Sequence, residues 1–288
     1  SSPPPRFNAS FPVGMALHKI IDQTTNWNLF AREFATDMLE VDTTNSLNTS
    51  YPNDTFDFTN GYNDQTTVDV DDISWMWRKA KGYFDVRVYD GTGSATTHAH
   101  NLGVVPDMIW FKLLDSTGGF TRGWVVTSLH LPNATATNDT TLYLDTNGAE
   151  VDQAIMNDTG PTSTVFSVGS DPFVNFLNST YVAYLFATLA GISKVGTFSH
   201  TNGSSTDVDC GFSSGSSFVL VKRTDSTGNW YLWDSARGIV SGNDPYLLMD
   251  TNDFPHTTNT DYIDPLSSGF QITSSFTTGS YFFYAIAA

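Results

Sequence analysis

The sequence predicts an all-β protein built from three tandem, diverged β-sandwich (jelly-roll-like) units, and three observations predict it. Apolar residues come in short, strand-length runs separated by Thr, Ser, Asn, Asp and Gly turns. Polar helix formers are scarce: Glu33, Glu40 and Glu150 are the only glutamates in 288 residues. Five short elements also recur in the same order three times along the chain.

The chain opens on Pro3, Pro4 and Pro5, which read as an extended leader over residues 1–10 and as a processed end or a fragment of a longer polypeptide. The first recurring element is an apolar strand closed by lysine: Met15–Lys19, Met108–Lys112 and Phe218–Lys222. A polar loop leads to an aromatic strand, Trp27–Phe30, Trp124–Val126 or Trp230–Trp233. The third element ends on an aspartate before a polar turn, at Asp42, Asp145 and Asp250. After a longer polar excursion come Phe56–Phe58, Val165–Val168 and Phe270–Ile272. Each unit then closes on an aromatic strand, Ser74–Trp77, Thr180–Phe186 or Ser280–Tyr284.

Units two and three share a leading hairpin, which starts with Gly82–Tyr89 and Gly191–Phe198. The alternation Phe84, Val86, Val88 marks a half-buried strand. The first unit lacks this strand. The units are assigned to residues 11–80, 81–190 and 191–288, and units that share sheet edges would form one stiff rod or triangle. An open edge in unit one invites pairing, so the leader around Phe7–Ser10 or a strand from a neighbouring subunit is expected to fill it.

Hydrophobic residues make up 40% of the chain and aromatics 14%, enough for several cores. A formal charge of −17 opposes binding to a phosphate backbone or an anionic membrane, and suits a salty medium that screens self-repulsion. With Cys210 the single cysteine, neither an intrachain disulfide nor a cysteine-based zinc site can form. No run reaches the length of a transmembrane helix.

Candidate sites are few. Asp69, Asp71 and Asp72 are the best calcium ligands in the chain, but they lack the glycine and terminal glutamate of a helix-flanked calcium loop, and a solvated acidic loop is the favoured reading. Trp75, Trp77 and Trp110 do not recur as Trp; exposed, they would form a carbohydrate platform, whereas core packing is the favoured reading. Trp27, Trp124 and Trp230 recur in register, as core positions do. His98 and His100 have a metal-ligand spacing, yet fall opposite Val208 and Cys210 of unit three, which argues for a structural role. The recurring aspartates read as Asx turns and the recurring lysines as solvated or locally paired charges. Eight Asn-x-Ser/Thr sequons are a small excess over chance for this composition. No Gly-x-Ser-x-Gly elbow and no helix-linked glycine loop is present.

The segments His100–Trp110, Pro161–Phe166, Tyr181–Phe186, Gly191–Gly196, Asp207–Phe212 and Phe218–Gly228 resemble a module found, often in tandem, in virion proteins predicted for marine bacteriophages. Ala236–Tyr246 followed by Asp261–Gly269 carries the strongest likeness, and the resemblance covers most of residues 82–288. It implies a virion surface or extracellular protein: a tail fibre, spike or capsid decoration that self-associates and meets other virion proteins. It supplies no catalytic residue and no cofactor. The expected function is therefore non-enzymatic surface association. A fibre module that grips a host-surface glycan is the alternative, and a depolymerase with two acids across a groove a more distant one.

Overall fold

The computed structural model describes residues 5–34, 37–49, 56–63, 71–116, 119–135 and 139–288. In the first unit the strands are β1 (Phe7–Asn8), β2 (Met15–Ile20), β3 (Asn28–Ala31), β4 (Leu39–Glu40), β5 (Gly61–Tyr62) and β6 (Asp72–Trp77). The second unit begins with β7 (Phe84–Asp90), β8 (Thr96–Ala99), β9 (Met108–Ser116) and β10 (Val125–Thr127). It continues with β11 (Thr140–Tyr143), β12 (Val151–Asp152), β13 (Val165–Val168) and β14 (Ser179–Phe186). The third begins with β15 (Ser193–His200), β16 (Thr206–Asp209), β17 (Ser216–Arg223) and β18 (Trp230–Asp234). It ends with β19 (Leu247–Leu248), β20 (Ile263–Leu266), β21 (Gly269–Ile272) and β22 (Gly279–Ala287). A 3-10 turn, Arg32–Phe34, is the sole helical segment among the described residues.

The all-β expectation holds, and every strand pairing is antiparallel. Three large sheets share one order: β4-β3-β2-β6, β12-β11-β10-β9-β14-β7 and β19-β18-β17-β22-β15. Each faces a small sheet from its own stretch of chain: β1-β5, β8-β13 and β16-β21-β20. The registers coincide, because Met15 lies opposite Trp77 as Met108 lies opposite Phe186 and Phe218 opposite Ile286.

The long strands are apolar on both faces, and the alternation explains why. On β9, Met108 and Trp110 point into a core shared by all three large sheets, while Ile109 and Phe111 point into the core of their own unit. On β17 the same division separates Phe218 and Leu220 from Val219 and Val221. A strand buried on both faces needs an unbroken apolar run, with no polar side left over. The units therefore meet through sheet faces on a common core, and none of the described strand pairings joins one large sheet to another. This corrects the expectation of shared sheet edges.

The leader does pair, but not at the predicted place. β1 lies against β5, with Phe7 opposite Tyr62. Ala9 N–H donates to Asn60 O at 2.8 Å, as His100 does to Thr164 at 2.9 Å and Cys210 to Ser268 at 2.8 Å. β1 thus takes the position of β8 and β16, the second strand of the leading hairpin. The backbone approach is close: a Cβ at Gly61 would sit 2.0 Å from Phe7 O, and one at Gly269 2.1 Å from Val208 O, so only glycine fits. The first strand of that hairpin has no counterpart beside β6 among the described residues.

Candidate functional site

The recurring polar residues assemble at the seams between units. Trp27 Nε1–H donates to Leu248 O at 2.9 Å, Trp124 Nε1–H to Glu40 O at 2.8 Å, and Trp230 Nε1–H to Tyr143 O at 2.7 Å. Unit one thus reaches unit three, unit two reaches unit one, and unit three reaches unit two. The lysines run the same way. Lys19 Nζ donates to Asn252 O at 3.2 Å, Lys112 Nζ to Thr43 O at 3.4 Å, and Lys222 Nζ to Gly148 O at 2.6 Å. All three lysines are 0% exposed, which corrects their reading as solvated charges. Each long apolar stem lies in the packed seam while its head finds backbone carbonyls.

The aspartates finish each seam from within the unit. Asp42, Asp145 and Asp250 accept through Oδ1 from the backbone N–H of Trp27, Trp124 and Trp230 at 3.0, 2.8 and 2.9 Å. Their partner is thus the tryptophan strand, not the backbone two residues on that an Asx turn would use. Burial pushes the Asp42 carboxyl up to about 6 and raises Asp145 and Asp250 in the same sense. Burial likewise brings the Lys112 and Lys222 ammonium groups down to about 8. Perturbed groups of this kind often mark active sites, but here each is enclosed and its hydrogen bonds go to the protein's own backbone. They hold the units together.

The residues singled out from sequence are scattered. Trp77 and Trp110 are each 1% exposed in the shared core, so neither offers a face to a sugar. Trp75 is half-buried beside them. Asp72 pairs with Arg6, Asp71 O accepts from Ile21 N–H at 2.8 Å, and Asp69 lies outside the described residues. Among the described residues no group of three metal-ligating side chains could hold an ion. His100 Nδ1 accepts from Leu102 N–H at 3.2 Å and its Nε2 meets Thr162 O at 3.0 Å, while the His98 ring lies tilted against Tyr89 at 4.3 Å. Burial pushes the Cys210 thiol up to about 12, far from a reactive thiolate.

What remains is a cleft of about 380 Å³ beside β6. Its floor is aromatic and aliphatic: Trp75, Trp77, Phe218 and Ile286. One wall is the outer edge of β6, and the other is the end of β18 with the turn after it, Asp234 to Ala236. Phe218 meets Trp77 edge-on at 5.5 Å, and Trp77 Nε1–H donates to Tyr284 Oη at 3.2 Å, which fixes the floor. Arg237, held by Asp234 at 2.9 Å, lies over the Trp75 ring at 5.4 Å. The missing strand of unit one pointed to this edge, but nothing in the sequence placed the turn of unit three opposite it.

A family model described as a domain of unknown function (DUF7483) matches residues 13–288. No curated protein and no solved structure matches the chain.

Proposed function

We propose that this chain, which belongs to the DUF7483 family, is a non-enzymatic structural protein that works through its surfaces, as a fibre, spike or capsid decoration on a virion or another extracellular assembly. One observation carries the reading: the recurring Lys, Trp and Asp side chains, the groups most able to do chemistry, are spent on locking the units to one another. The result is a stiff acidic body with a formal charge of −17 and a surface of short polar loops. The resemblance of residues 82–288 to a virion module supports the location. The test is an antibody to this chain applied to purified particles from a host that makes it, with native mass spectrometry of the isolated protein. Particle-bound label together with self-association or partner capture supports the reading. A monomer absent from particles overturns it.

A second reading, glycan binding, is favoured by a patch the sequence did not flag. Phe120 and Phe176 are 45% and 37% exposed and meet edge-on at 5.5 Å, with the Arg122 guanidinium 5.6 Å from the Phe120 ring. Exposed rings of this kind can stack on sugars. A glycan array read with the native chain and with Phe176→Ala tests it; identical profiles would remove it. A depolymerase gains less support, since each recurring aspartate is engaged by the backbone N–H of a tryptophan.

A further inference from the structure

We infer that the cleft beside β6 is a strand-acceptor slot, and that its occupant is an extended strand of a different protein, not a second copy of this chain, added antiparallel to β6. This deepens the assembly reading, and rests on it only for the strand coming from a different chain. The two sister units show what belongs in such a slot. In unit two, β7 pairs with β14 from Phe84 opposite Phe186 to Asp90 opposite Thr180, and in unit three β15 pairs with β22 in the same manner. Each of these strands lies between the closing strand of its own unit and the turn after the tryptophan strand of a neighbour. Lys79 joins Glu33 of that turn to Asp85 and Val86 O of β7. His130 of the corresponding turn lines one surface recess with Lys194 and Val195 of β15. In unit one the corresponding space lies between β6 and Ser235–Ala236, and it is the cleft.

The pattern of the occupant follows from the registers. The residues opposite Phe186 and Tyr184 are Phe84 and Val86, both buried. The same positions in unit one are opposite Trp77 and Trp75, so the added strand presents apolar side chains there, two residues apart. Residues directly opposite in an antiparallel pair share a face, and aromatic with β-branched or aromatic pairs stabilise it. Main-chain bonds to the outer edge of Ile73–Trp77 supply affinity, and alternate side chains supply selectivity.

The probe is a labelled peptide with the sequence of Tyr83–Asp90, titrated into the full chain by fluorescence anisotropy, with hydrogen exchange on β6. Two further peptides carry backbone N-methyl groups on alternate residues, one on the edge facing β6 and one on the other edge. The expected result is saturable binding, slowed exchange within Ile73–Trp77, and weakening of about tenfold or more by one methylation pattern and not by the other. Ala236→Arg, at an exposed position on the opposite wall, should abolish capture without lowering the melting temperature. No binding up to millimolar peptide, or equal binding by both methylated peptides, overturns the inference. So does β6 protection that rises with protein concentration alone, which would assign the slot to a second copy of this chain. Capture by the isolated chain with no chain in particles keeps the slot and removes the virion reading; chain in particles with no capture does the reverse.

Discussion

Strands β14 and β6 close their sheets in the same way and end in different surroundings. Both follow a small-sheet strand, both pair with a strand that carries a buried lysine, and both turn aromatic side chains into the shared core. β14 is covered on its far side by β7 over seven residue pairs, whereas among the described residues β6 is the last strand of its sheet. The side chains differ accordingly. Tyr184 and Phe186 of the covered strand correspond to Trp75 and Trp77 of the uncovered one. Larger rings take up part of the volume that a strand would fill, yet a cleft of about 380 Å³ remains. A missing strand is thus compensated in packing but not in main-chain hydrogen bonding, and an exposed edge with an apolar floor invites pairing.

The largest expected effect comes from making unit two resemble unit one. Phe84 is 1% exposed and packs on Phe186 at 5.0 Å. Phe84→Ala should cost about 3–5 kcal/mol in denaturant unfolding and speed exchange on the β7-facing edge of β14 towards the rate of β6. If β14 stays protected, some element other than β7 guards that edge and the comparison breaks. Next is Trp230→Phe, which keeps an aromatic ring but removes the N–H that Tyr143 O receives. A buried carbonyl left without its donor should cost about 1–3 kcal/mol. Calorimetry should show one cooperative transition shifted down; separate transitions for separate units would show that the seams do not couple them.

Acidity should give a smaller effect, felt at the wall of the cleft. The segment that continues from the turn after β18 is tied down by Asp244, whose Oδ1 accepts from Val240 N–H at 2.7 Å. Burial, with Asp264 and Asp261 nearby, pushes this carboxyl up to about 7, and Asp42 stands at about 6. An unfolded aspartate titrates near 3.9, so between these values the folded chain holds protons that the unfolded chain has lost. From this source stability is greatest in acid and falls as the pH climbs from about 4 through about 7. Melting temperatures measured from pH 4 to 8 should decline less steeply in Asp244→Asn, with Asp42, Asp145 and Asp250 contributing to the remainder. Parallel curves for the two proteins would show that Asp244 is ionised throughout.

Comparison of the repeats made part of this architecture legible. Trp27, Trp124 and Trp230 could be assigned to cores because three positions agreed, and His100 could be discounted because Cys210 stands in its place. The shared core was hidden, since a continuous apolar run such as Met108–Leu114 shows that both faces are buried and not what buries them. The lysines were misread for a related reason. Local partners are present, since Lys112 Nζ donates to Arg122 O and Lys222 Nζ to Arg223 O, but Lys222 Nζ also reaches Gly148 O in another unit, and no local pattern connects those two. The slot was half legible: the absent strand could be counted, but the leader was assigned to the wrong strand of the hairpin, because order along the chain does not show which sheet β1 joins.

The direction of the seams has a consequence for how such a chain could arise. Each unit gives its indole and ammonium protons to the unit before it, and the first gives to the last, so donation runs in a closed circle. Three identical copies of a single unit, related by a threefold axis, would make the same set of bonds. The polypeptide is in this sense a trimer threaded on one backbone. Fusion of that kind frees each copy to diverge, so that one of the three can leave a strand position open where a homotrimer would have to open all of them.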